Sequence, residues 1–115
     1  MKKILIVDDQ PTSTEPIAIG LRKYGYYAES ANNGKEGLLK IKNGKFDYVL
    51  CDIDMPEMNG WEFASNVSLV YSDINFIFMT AGLRGKVKEG FKKFPFLIKP
   101  FDFEKLVELL KREEV

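Results

Sequence analysis

Lys3-Ile4-Leu5-Ile6-Val7-Asp8-Asp9 sets four consecutive apolar residues between a lysine and an acidic pair. Such a run is short for a helix and has the length of a strand covered on both faces. The same punctuation recurs along the chain, and strands are expected near Lys3–Val7, Tyr26–Ser30, Tyr48–Cys51, Asn75–Met79 and Phe96–Ile98. Between them, segments of helical period predict helices near Thr14–Tyr24, Lys35–Lys42, Trp61–Tyr71, Lys86–Lys93 and Phe103–Arg112. In the last of these, Phe103, Leu106, Val107 and Leu110 follow the i, i+3, i+4, i+7 pattern, with Asp102 placed as N-cap. Pro16 cannot donate a backbone hydrogen bond and belongs in a first turn, so the first helix is expected to be capped by Thr12, Ser13 or Thr14. Gly25 and Gly44 follow the first two helices, where a left-handed residue is expected.

Strict alternation of strand and helix with short connections predicts an α/β fold with an open, doubly wound parallel sheet. Each crossover must be right-handed and must bury the apolar stripe of its helix. The 115 residues, 45% hydrophobic and 30% charged, match one domain, 1–115, with no room for a second. Seventeen basic residues balance seventeen acidic ones, so no overall positive field draws the chain to nucleic acid or an anionic membrane. Histidine is absent, which excludes imidazole metal sites and Ser-His-Asp or Cys-His catalysis. The single Cys51 cannot form an internal disulfide. The apolar stretch after Lys2-Lys3 stops too soon for a signal peptide, and no other run is long enough for a membrane span. A cytoplasmic protein is expected.

Open α/β sheets bind ligands at the carboxyl ends of their strands. Here those ends carry Asp8-Asp9, Asp52, Thr80 and Lys99. Three carboxylates gathered on one edge repel one another unless a cation sits among them, and hard oxygen donors suit Mg²⁺. A carboxylate beside Mg²⁺, with a hydroxyl and an ammonium, forms a site for phosphoryl transfer in which the acid attacks phosphorus.

These residues stand in Ile4-Leu5-Ile6-Val7-Asp8-Asp9, Leu50-Cys51-Asp52-Ile53-Asp54-Met55-Pro56-Glu57-Met58-Asn59-Gly60, Met79-Thr80-Ala81 and Ile98-Lys99-Pro100-Phe101. Together, in this order, they closely resemble the receiver domain of two-component response regulators over essentially the whole chain. The resemblance implies a flavodoxin-like sheet of order 2-1-3-4-5. It implies that Asp52 is the phosphoacceptor and that Asp9, Asp52 and the backbone carbonyl of Asp54 ligate Mg²⁺, with Asp8 acting mostly through a metal-bound water. Thr80 would hydrogen-bond the phosphoryl group, Lys99 would pair with it, and Phe96 would be the switch aromatic that turns as Thr80 shifts. The Lys99–Pro100 bond would be cis. The phosphoryl donor would be a sensor histidine kinase or a histidine phosphotransfer protein in a phosphorelay, and the output a downstream protein target. Direct nucleic-acid or membrane binding is not expected, and the receiver would be of the stand-alone type. A receiver cut from a longer regulator is the alternative within the family. Such a domain would catalyse only its own phosphorylation and dephosphorylation.

Several features depart from the family pattern. The stretch from Thr80 to Lys99 runs short and holds Gly82, Gly85 and Gly90, so a short or irregular fourth helix is expected. That stretch also carries Arg84, Lys86, Lys88, Lys92 and Lys93 against Glu89, a basic patch that is either a solvated helix face or a docking surface. Asp54, two residues after Asp52, and Gly82, two after Thr80, occupy positions that tune acyl-phosphate lifetime in the family, so an atypical lifetime is expected. Two rival readings remain open. Asp52-Ile53-Asp54 after a strand also resembles the nucleophile motif of haloacid-dehalogenase-type phosphatases, although Met55-Pro56 fits the receiver better. The other rival is a receiver serving as a scaffold without phosphorylation.

Overall fold

The computed structural model describes residues 1–81 and 94–113. Its strands are β1 (Lys3–Val7), β2 (Tyr27–Ala31), β3 (Tyr48–Asp52), β4 (Asn75–Thr80) and β5 (Phe96–Ile98). The helices among the described residues are α1 (Pro11–Lys23), α2 (Gly34–Asn43), α3 (Gly60–Ser68) and α4 (Phe103–Glu113). The helix expected over Lys86–Lys93, the glycines Gly82, Gly85 and Gly90, and the basic cluster from Arg84 to Lys93 lie outside the described residues.

All strand pairings are parallel, and the order is β2-β1-β3-β4-β5. Successive residues of a strand point to opposite faces, so an all-apolar strand serves two cores at once. On one face Ile4 and Ile6 of β1 pack with Ala18 and Leu21 of α1 and with Leu106 and Leu110 of α4. On the other, Leu5 and Val7 join Ile41 of α2 and Phe63, Ala64 and Val67 of α3. Helices therefore cover both faces, as the alternation predicts. No helix among the described residues is long and apolar enough to cross a membrane.

Element ends show where local rules were overridden. Helix α1 begins at Pro11 rather than near Thr14, with Gln10 at the N-cap and no side-chain cap bond. Pro11 fills the first-turn position that suits proline, and Pro16 lies inside the helix. The missing Pro16 N–H is one bond, tolerated because Ala18 and Leu21 still reach the core. The Asp8 carboxylate accepts from Gln10 N at 3.0 Å, so the entry to α1 is held from the end of β1. Gly25 takes the expected left-handed backbone at φ 92°, whereas Gly44 is extended at φ −142° and needs no glycine on that account. Helix α3 stops at Ser68, short of Tyr71. Helix α4 starts directly after Asp102, whose carbonyl accepts from Lys105 N at 2.9 Å.

Leu106 is fully buried between α4 and the sheet. Leu106→Ala is expected to lower the unfolding free energy by about 2–5 kcal/mol in urea denaturation. A loss below about 0.5 kcal/mol, the size of a surface substitution, would contradict that packing.

Candidate functional site

The two-residue period that sorts the cores also assembles the site. Asp8 follows Ile6, Asp52 follows Leu50 and Lys99 follows Leu97, each two residues on from a side chain in the α1/α4 core. The three side chains meet. Lys99 Nζ lies 2.7 Å from Asp8 Oδ2 and 3.3 Å from Asp52 Oδ2. Asp8 and Asp52 are buried, and Asp9 stands beside them at the rim with a carboxylate oxygen within 4.8 Å of theirs. The sheet edge is held in register beyond the formal strands. Asp8 N donates to Ala31 O at 3.1 Å, Ile53 N to Met79 O at 2.9 Å and Lys99 N to Thr80 O at 2.8 Å. The Lys99–Pro100 peptide is cis, as the resemblance implies.

Thr80 is buried at the end of β4, and its hydroxyl donates to Asp54 Oδ2 at 3.3 Å. Asp54 in turn gives its backbone N–H to Asp52 Oδ1 at 3.2 Å. Its carboxylate therefore touches Thr80, a role that position and residue type alone did not reveal. Phe96 lies partly buried against the α2/α3 core, with ring centroids 5.8 Å from Trp61 and 5.7 Å from Phe78. Gly82 lies outside the described residues.

Two residues that hold the site escaped the sequence reading. Gly60 opens α3 and gives its N–H to Ile53 O at 2.9 Å; a Cβ there would stand 2.6 Å from Asp52 O, so the helix starts flush against the backbone of the acidic loop. Asn59 caps that helix: its side chain accepts from Glu62 N at 2.9 Å, and Glu62 Oε1 accepts from Asn59 N at 3.3 Å. The Asn59-x-x-Glu62 spacing is the signal that would have found this capping box.

Burial pushes the Asp52 carboxyl up from 3.8 to about 6; the Lys99 charge pulls it down, and the Asp8 charge pushes it up again. Burial works against the Lys99 ammonium, yet the hydrogen bond to Asp8 and the charges of Asp52 and Asp8 outweigh it and raise its pKa. Burial, followed by the same two acids, pushes the Cys51 thiol well up, so Cys51 is a protonated, apolar neighbour whose Sγ donates to Asp52 O at 3.3 Å. The arrangement is a buried carboxylate with a raised pKa, an ammonium already in contact with it, a hydroxyl nearby and two further acids, Asp8 and Asp9, able to share a cation.

The sign of the Asp52 shift gives a stability signature. Its folded pKa lies above the unfolded value, so the folded chain holds the extra proton between about pH 4 and 6 and loses stability as pH rises through that window. In chelator, Asp52→Asn is expected to melt higher than the native chain at pH 7.5, with the gap closing toward pH 4. Parallel melting curves across that range would contradict the burial penalty at Asp52.

Comparison with known proteins agrees with this geometry. The family model for the response regulator receiver domain matches residues 4–111. The transcriptional regulatory protein PcoR of Escherichia coli is 36% identical over 111 residues, 93% of this chain and 49% of PcoR, so the chain spans about half the length of that relative. Among solved structures, the chemotaxis protein CheY4 of Vibrio cholerae superimposes with a TM-score of 0.90 at 32% identity, covering 97% of this chain and 98% of that one. The response regulator TrrA of Thermotoga maritima, solved in complex with Mg(2+)-BeF, gives 0.88 at 34% identity with the same coverage. TrrA has also been solved in complex with the histidine kinase ThkA, where it matches this chain with a TM-score of 0.86 at 34% identity over 97% of each chain. The matching model is the receiver's and not that of a dehalogenase-type phosphatase, and over residues 4–111 the chain belongs to the response regulator receiver domain family.

Proposed function

We propose that this receiver takes a phosphoryl group from a phosphohistidine on a partner protein onto Asp52 and signals by a change at Thr80 and Phe96. The observation that carries the reading is the contact of one ammonium, Lys99 Nζ, with both buried carboxylates, Asp8 and Asp52. An Asp52 oxygen attacks phosphorus, the P–N bond of the donor breaks with its electron pair left on the imidazole, and an acyl-phosphate P–O bond forms. Attack of water on that phosphorus later returns the carboxylate and releases inorganic phosphate. The chain thus catalyses its own modification and processes no separate substrate.

The donor set fits a divalent cation, because Asp8, Asp9 and Asp52 each offer a hard oxygen within 4.8 Å of the others. Mg²⁺ would be held by Asp9, Asp52 and the Asp54 carbonyl, with Asp8 reaching it through water, and when bound it supplies positive charge to neutralise the transferring oxygens. Lys99 is the chain's own contribution of the same kind. In the resting site its charge is shared by Asp8 and Asp52; a phosphoryl group on Asp52 adds oxygens within reach of the same ammonium. The Thr80 hydroxyl supplies a neutral donor to that group.

A groove of about 670 Å³ opens beside Lys99 between the start of α1 and the stretch after β5, lined by Thr12, Pro16, Ile17, Ala81 and Phe101 among others. It gives a protein donor apolar surface next to the acceptor. The kinase complex of TrrA supports a histidine kinase as that donor, and the output is a second protein that recognises the switched surface. Within the chain, the receiver is proposed to occupy residues 1–115.

Incubation with acetyl phosphate and Mg²⁺ is expected to add one phosphoryl mass to the native chain and none to Asp52→Asn, read by intact mass spectrometry. An unchanged native mass, or an adduct that survives the substitution, would contradict the reading.

A further inference from the structure

Asp54 is the one acid at the site that the phosphoryl-transfer scheme uses only through its backbone. Its side chain nevertheless holds the Thr80 hydroxyl at 3.3 Å, while its N–H holds Asp52 at 3.2 Å. A threonine hydroxyl has a single proton to donate. The same proton cannot serve the Asp54 carboxylate and a phosphoryl oxygen on Asp52 together. Both acceptors are anionic, so they compete for it on similar terms.

We propose that Asp54 is a positioning residue that latches Thr80 in the resting state, so that phosphorylation must exchange the Asp54 acceptor for a phosphoryl oxygen before Thr80 can move. The inference rests on the reading of Asp52 as acceptor and adds a regulator to that site. At 3.3 Å the bond is longer than the usual 2.5–3.0 Å for a hydroxyl donor, which makes it a latch that yields. Because the bond joins the end of β4 to the loop after β3, it ties the switch hydroxyl directly to the backbone next to Asp52. A carboxylate there lowers the occupancy of the switched state at a given degree of phosphorylation. Replacing the Asp54 side chain leaves its backbone carbonyl, the atom offered to the cation, in the chain.

Removing a negative charge beside an anion site would tighten anion binding by itself, so a single substitution cannot separate latch from charge. A double-mutant cycle does. Beryllofluoride, formed in buffer with Mg²⁺, is titrated into the native chain, Thr80→Val and Thr80→Ser, each with and without Asp54→Ala, with binding read by calorimetry. Thr80→Ser serves as a hydroxyl-retaining control, and urea unfolding confirms that each variant is folded. Asp54→Ala is expected to tighten binding about fivefold in the Thr80 and Thr80→Ser backgrounds and to have clearly less effect with Thr80→Val. Equal tightening in all three backgrounds, or none in any, would overturn the latch. If the native chain takes up no beryllofluoride, the reading of Asp52 fails instead, and the two failures are told apart by that first titration.

Discussion

Lys99 Nζ stands between Asp8 and Asp52, 2.7 Å from one carboxylate and 3.3 Å from the other, at the point where β1, β3 and β5 end. Two like charges within 4.8 Å of each other repel by about 3 kcal/mol at an effective dielectric near 20, and both acids are buried. The ammonium makes the pair tolerable in a resting chain. It reaches Asp52 across β4, and Asp8 across β4 and β3, because the parallel sheet places every strand end on one edge and the two-residue period points all three side chains the same way. The Asp52 carboxyl is raised chiefly by burial, with the Lys99 charge pulling it down and the Asp8 charge adding to the rise. A site of this kind holds a demand for positive charge that one lysine meets only in part and that a divalent cation among Asp8, Asp9 and Asp52 would meet.

The surrounding packing joins the acidic edge to the core on the α2/α3 side. Thr80 ends the strand that carries Phe78, and Phe78 lies against both Trp61 of α3 and Phe96 of β5, at 4.8 and 5.7 Å between ring centroids. Helix α3 itself starts flush on the Asp52 backbone at Gly60. A change at the acidic edge therefore meets one connected aromatic layer on the α2/α3 side. Asp54 spans the gap, with its backbone on Asp52 and its carboxylate on Thr80.

Much of this was legible in the chain because it rests on short-range periodicity. The apolar run Ile4–Val7 and the residues Asp8, Asp52, Thr80 and Lys99 that close each strand are local facts, and β1 and β5 begin and end at Lys3–Val7 and Phe96–Ile98 as expected. What was not legible depends on contacts between distant residues. The start of α1 was misplaced because Pro16 looks like a first-turn residue by local rule, whereas Pro11 takes that place and tertiary burial of Ala18 and Leu21 carries the helix through the second proline. The Thr80–Asp54 bond joins residues 26 apart, and the need for glycine at position 60 arises only once α3 is laid on Asp52. Asn59 and Glu62 are different: their spacing was in plain view and carries its own mechanism.

If crowded charge at the sheet edge is what the site is built around, relief of that charge must stabilise the fold. The direct measurement is the thermal midpoint at pH 7.5 as Mg²⁺ is added, for the native chain and for Asp9→Asn. Mass action predicts that a cation bound only by the folded chain raises the midpoint with the logarithm of its concentration once the site fills. The native midpoint is expected to climb in this way, and that of Asp9→Asn to climb only at much higher Mg²⁺. A native midpoint indifferent to Mg²⁺, or one that rises equally without Asp9, would contradict a cation site formed by these acids.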